Sequence, residues 1–172
     1  MIDTRLTAYS AGRVESLNEL LEDSNFDLYG AVLQHAMRSP REIVQVLDAI
    51  FREHARHSDQ ATGATLTATS IDLGLDEYCR RRVADLYPND VIHAIRQLPG
   101  SVFTSTVVQA QFRISQPAAS RKIEKWEDNG LVERIEDVRS EKDPSKAVHQ
   151  YRVREARLRR MIERSLAPMG SA

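Results

Sequence analysis

The sequence predicts a mostly α protein, in which an N-terminal helical bundle is followed by a helix-turn-helix and a two-stranded β hairpin. Three observations carry that expectation. Apolar residues recur at helical spacing through most of the first hundred positions. After Gly100 the order becomes helix, short turn, helix, and then two segments in which apolar and polar residues alternate. Hydrophobic residues make up 41% of the 172, enough to bury a core, and no apolar run approaches the ~20 residues that cross a bilayer.

Taken in order, the opening MIDTRLTAYSAGR lacks the uninterrupted apolar stretch of a signal peptide, so a cytoplasmic protein without membrane contact is expected. SLNELLED reads as a short helix. FDLYGAVLQHAM places Phe26, Tyr29, Val32, Leu33 and Ala36 at helical spacing and predicts a second. SPREIVQVLDAIFREHARH follows, with Ser39 suited to an N-cap, Pro40 to the first helical position and Glu42 to a capping box. Its Ile43, Val46, Leu47, Ile50 and Phe51 form one stripe, which predicts an amphipathic helix. HSDQATGATLTAT is small, polar and aperiodic, and reads as a linker over residues 57–69. SIDLGLDEYCRRRVADLY and NDVIHAIRQL predict two further helices, separated by Pro88 and closed by Pro99 and Gly100. The expected division is therefore residues 1–98 and 99–172.

In the second part, TSTVVQAQF predicts a helix that starts at Thr104. Ile114 in the turn that follows can fill the angle between two helices, and Ser115 suits the N-cap of the next. Pro117 falls in its first turn, where an N–H would lack an intrahelical partner anyway, and Asn129-Gly130 suits a left-handed end. LVERIEDV and VHQYRV alternate as two antiparallel strands, joined by the charged RSEKDPSKA. The closing REARLRRMIERSL spaces Leu158, Met161, Ile162 and Leu166 for packing against a partner subunit or domain.

Charge is unevenly distributed. Residues 1–112 hold 10 Lys/Arg against 15 Asp/Glu, whereas 113–160 hold 13 against 9, within an overall net charge of −1. A basic excess confined to ~50 residues is what contact with a polyanion calls for. Within it, the helix after Ser115 turns about 100° per residue, so Ala119, Ile123 and Trp126 fall on one face and Arg121 nearly opposite. Arg121, Lys122 and Lys125 supply its charge. A helix that offers small residues and an arginine from its first two turns can enter a major groove ~12 Å wide.

TSTVVQAQFRISQPAASRKIEKWEDNGLVERI resembles the winged helix-turn-helix of the MarR-like bacterial regulators, through the pattern I-S-Q-P, S-R-K-I and N-G-L-V-E-R over about 55 residues, 100–155. The resemblance implies a recognition helix from Gln116 and a two-stranded β wing after it. It implies that Gln116, Ala118, Ser120, Arg121 and Lys125, with Ser115 and Lys122 beside them, face double-stranded DNA, and that Arg139, Lys142 and Lys146 of the wing meet phosphate. LTAYSAGRVESLNELLEDSNFDLYGAVLQHAMRSPREIVQVLDAIFREH resembles the helical lid of AAA+/STAND-type P-loop ATPases, with the SPREI helix start as its distinctive core. That resemblance implies a nucleotide-sensing role for Arg41. The departure is plain, because no G-x-x-x-x-G-K-[ST] loop occurs in the sequence.

Other chemistry has little support in the sequence. The single Cys79 excludes an internal disulfide and a cysteine-based zinc cluster, and suits buried packing. His54 and His57 lie three apart without a third metal ligand nearby in sequence, and Asp85 and Asp90 flank Pro88 without a catalytic partner. No enzyme activity, cofactor or metal is expected. The expectation is a DNA-binding protein, either a transcriptional regulator or the DNA-contacting end of a P-loop ATPase, with a homodimer as the form that binds tightly. The alternative is a protein–protein module whose winged helix docks on an ATPase core or another partner.

Overall fold

A computed structural model describes residues 2–9, 11–23, 25–37, 39–57, 65–139 and 147–166. It is mostly helical, with one small antiparallel sheet, and its residues group into two compact units, 1–79 and 80–172. Among the described residues no helix is long and apolar enough to cross a membrane.

In the first unit, α1 (Ile2–Tyr9) is an element the sequence reading did not anticipate, and SLNELLED forms only a 3₁₀ turn, Leu17–Leu20. The two are joined through Asp3, whose carboxylate accepts from the Leu17 N–H at 3.3 Å and from the Tyr29 hydroxyl. Burial, then the hydrogen bond and charge of Asp3, push the Tyr29 phenol up to about 12. Asp27 accepts from the Gly30 N–H at 2.8 Å and so caps α2 (Leu28–His35). Leu28, Val32, His35 and Ala36 form the buried side of this segment, whereas Leu33, expected inside, is 42% exposed.

α3 (Pro40–His57) follows the predicted stripe at Ile43, Val46 and Ile50, which are buried together with Ala49, whereas Leu47 and Phe51 are half-buried. α4 (Ala68–Leu86) passes over it at Gly74. A β-carbon there would collide with the Ile50 α-carbon and stand 2.8 Å from the Ile50 nitrogen and 3.0 Å from the Ala49 carbonyl oxygen. Glycine mid-helix costs about 1 kcal/mol against alanine, but only glycine lets the two backbones touch. Ile71, Leu75, Tyr78 and Cys79 of α4 are buried, and the Tyr78 hydroxyl donates to Glu42 at 2.8 Å. The expected linker lies partly at 58–64, outside the described residues; within its remainder Leu66 pairs with Leu21 in a parallel bridge and α4 already begins at Ala68.

The second unit takes the end of α4, α5 (Asn89–Arg96), β1 (Val102–Thr104), α6 (Ser105–Phe112), α7 (Gln116–Asp128), β2 (Val132–Arg139), β3 (Ala147–Val153) and α8 (Ala156–Leu166). The two predicted strands are present, but the sheet has three strands in the order β1-β3-β2, all antiparallel. β1 pairs Val102, Phe103 and Thr104 with Arg152, Tyr151 and Gln150. A bulge at Ile135 shifts the β2–β3 register between Arg134 and Glu136 and leaves Ile135 38% exposed. Val83, Val91, Ile92, Ile95 and Leu98 share one core with Phe103, Val108, Ala119, Ile123, Trp126, Leu131, Tyr151, Leu158 and Ile162. The division expected at 98/99 would separate α5 from the residues it packs on. α8 packs on α5 and β3 of the same chain.

Candidate nucleic-acid interface

α6 and α7 are joined by a short turn, and each junction has a local cause. Arg113 ends α6 in the left-handed region at φ 52°, ψ 46°, which reverses the chain within one residue. Ile114 then packs against the core from within the turn. Ser115 holds the N-cap backbone position but its hydroxyl makes no capping bond, and the same is true of Thr104 before α6. At the other end of α7, Gly130 at φ +68° donates to the Glu127 carbonyl at 2.8 Å, and Leu131 donates to that of Trp126 at 3.0 Å. This pair of bonds with buried Leu131 behind it is a Schellman end, and it directs the chain into β2.

The face of α7 that points inward is the predicted one. Ala119, Ile123 and Trp126 are at most 2% exposed. Trp126 meets Phe103 edge-on at 6.1 Å and Phe112 at 6.2 Å, while Phe103 stacks on Tyr151 at 5.9 Å. Edge-to-face pairs of this kind fix ring orientation as well as burying area. α7 therefore has one rotational setting about its axis.

That setting determines where the predicted contact residues lie. Ser115, Gln116, Ser120, Arg121 and Lys125 are exposed, and Ala118 is half-buried. Among the described residues Arg121 and Lys125 enter no ion pair. From Gln116 to Lys122 the helix carries no acidic residue; Glu124, Glu127 and Asp128 all come later. Lys122 departs from the group. It is half-buried, with its ammonium 4.5 Å from the Phe112 ring centre and 5.4 Å from that of Trp126. A cation so placed is held by the ring faces. Gln116 is oriented from behind, since Gln109 Nε2 donates to its Oε1 at 3.0 Å.

The sheet treats its charges differently. Arg152 donates to Glu133 at 2.6 Å across β2 and β3, and Asp137 takes Arg134 at 2.7 Å and the His149 ring at 2.7 Å. The hydrogen bonds from His149 and Arg134 hold the Asp137 carboxyl below its usual range. Arg139 lies in β2 opposite Ala147, and Lys142 and Lys146 lie outside the described residues.

Sequence reading missed one buried ionic group. Glu155 and Arg157 are 6% and 4% exposed, and the guanidinium grips the carboxylate from Nε at 2.6 Å and Nη2 at 3.0 Å, while the Tyr87 hydroxyl donates at 3.2 Å. Burial pushes the Glu155 carboxyl up, but the hydrogen bonds and charge of Arg157 outweigh it and the group titrates below its ordinary value. Burial and the Glu155 charge push the Tyr87 phenol up. The group joins α5's approach, the end of β3 and α8, and no periodic pattern announces it.

Arg41 is exposed in the first turn of α3, and His57 is turned onto Glu53 of its own helix, with Nδ1 2.9 Å from the Glu53 carbonyl oxygen. Asp85 and Asp90 are both exposed, and Cys79 is buried. Among the described residues no three His, Cys, Asp or Glu side chains are grouped to hold a metal. No family model, curated protein or solved structure matches this chain.

Proposed function

We propose that residues 89–153 act as a winged helix-turn-helix that binds double-stranded DNA, with α7 as the recognition helix and the β2–β3 hairpin as the wing. One observation carries this reading. α7 is locked inward by Ala119, Ile123 and Trp126 while Arg121 and Lys125 stand exposed on its outer side and pair with no acid among the described residues, although acids follow within the same helix. Two cations of the sheet, Arg134 and Arg152, are paired with their own acids, Asp137 and Glu133. The succession α5, β1, α6, α7, β2, β3 also supports it, because it presents one helix edge-free beside a hairpin, as groove insertion requires.

Within the set, Ser115, Gln116, Ser120, Arg121 and Lys125 take the contact role. Lys122 is assigned instead to holding α7 on its aromatic support, and Arg139, Lys142 and Lys146 take the phosphate contacts of the wing. DNA contact is confined to the second unit, and Arg41 receives no part in it.

Anisotropy titration of a mixed-sequence duplex at several salt concentrations tests the reading. Wild type is expected to bind with a steep salt dependence. Arg121→Ala should weaken binding by roughly tenfold or more, and Lys125→Ala should make the log–log salt slope shallower by about one. Duplex affinity unchanged by both substitutions, or no duplex affinity at all beside retained binding to a protein partner, would turn the assignment to the protein-docking module.

A further inference from the structure

We infer that Gln109 sets the base preference of Gln116 by turning its side-chain amide so that the Nε2 hydrogens, and not the oxygen, point outward. This deepens the DNA reading above and rests on it. The geometry leaves little freedom. A primary amide nitrogen has two hydrogens, and Gln109 Nε2 uses both, one on the Ser105 carbonyl at 3.3 Å and one on Gln116 Oε1 at 3.0 Å. The Ser105 carbonyl belongs to the α6 backbone, so the donor end of Gln109 cannot be exchanged for its acceptor end without losing that bond. Gln116 then directs its oxygen back toward α6 and leaves the amine as the exposed end at the start of α7.

A free glutamine in the major groove pairs with adenine, because it donates to N7 and accepts from N6 together. Held by Gln109, Gln116 turns its oxygen toward α6 and presents its amine outward, so its outward end donates. It should favour a base edge made of acceptors, which is guanine with O6 and N7, and after it thymine with O4. Cytosine, whose exposed group is the N4 amine, should be the poorest. Gln109 is thus a positioning residue that touches no base, and its effect passes through one hydrogen bond.

Selection from a randomised duplex library by the full chain tests this, with helical circular dichroism confirming that each variant is folded. The position read by Gln116 is the one whose preference vanishes in Gln116→Ala. At that position wild type should enrich guanine or thymine by about fivefold or more over adenine and cytosine. Gln109→Met, which keeps the straight stem and removes the donor, should transfer the preference to adenine. Gln109→Glu accepts from Gln116 Nε2 and turns the oxygen outward, so adenine and cytosine should replace guanine. If wild type prefers adenine there, if no position responds to Gln116→Ala, or if both Gln109 variants keep the wild-type preference while still binding, the assignment is overturned and the DNA reading stands. If wild type binds no duplex, both are overturned together.

Discussion

α3 and α7 are built on the same amphipathic plan, yet they treat their charges in opposite ways. In the body of α3, Arg52 pairs with Asp48 at 3.0 Å and Arg56 with Glu53, each within one turn. In α7 the residue four beyond Arg121 is Lys125, a like charge, and neither finds an acid among the described residues. Intrahelical pairs on α3 contribute a few tenths of a kcal/mol each and leave little field beyond the surface. Arg121 and Lys125 gain no such intrahelical pair with an acid among the described residues. The difference teaches that amphipathic spacing defines only the inner face of a helix, and that the order of signs along the outer face separates a solvated surface from one that must be neutralised by something else.

The same contrast extends to how the helices are seated, and the sharpest way to break it is at Trp126. Removing this indole by Trp126→Ala should cost about 3–5 kcal/mol, read as a large fall in the urea midpoint by circular dichroism. Loss below 1 kcal/mol would show that α7 is not anchored by the ring cluster. Next in size is Arg157→Met, which leaves Glu155 buried without its guanidinium and should cost about 3 kcal/mol. Its wild-type counterpart is a pH effect. Because Glu155 titrates below its ordinary value in the folded chain, its contribution is full above the unfolded carboxyl range and is lost as pH falls through the depressed folded value. The urea midpoint should therefore fall on acidification in wild type, and fall less steeply in Glu155→Gln.

On the other side of the comparison, α3 is seated by backbone contact at a glycine. Gly74→Ala gains helix propensity but forces α4 off Ile50, and a net loss of about 1–2 kcal/mol is expected from thermal unfolding. A gain would mean that the crossing yields easily. The smallest effect belongs to Arg121→Ala, which should leave stability within about 0.5 kcal/mol of wild type. A larger loss would assign Arg121 to the fold.

These expectations separate what was legible in the sequence from what was not. The inner faces of α3 and α7, the Gly130 end and the two longer strands follow from period and turn chemistry, which are local. β1 is only three residues long and exists because Arg152, Tyr151 and Gln150, about fifty positions later, pair with it; no window containing Val102–Thr104 holds that information. Lys122 was placed among the outward cations by its charge, yet it lies only about 60° from Ala119 around the helix. Its stem leans toward the helix start, as helical side chains do, and brings the ammonium over Phe112. The Glu155–Arg157 grip joins residues two apart across the strand–helix junction, where neither the strand period of two nor the helical period holds.

The ring beneath Lys122 has a practical consequence. Trp126 is the chain's one tryptophan, so all indole emission comes from a single site on the inward face of α7, 5.4 Å from the Lys122 ammonium. A positive charge a few ångströms from an indole shifts its spectrum, and any polyanion that draws the ammonium off the ring changes that shift without touching the indole. The unlabelled chain thus carries its own optical gauge of whether this helix is occupied.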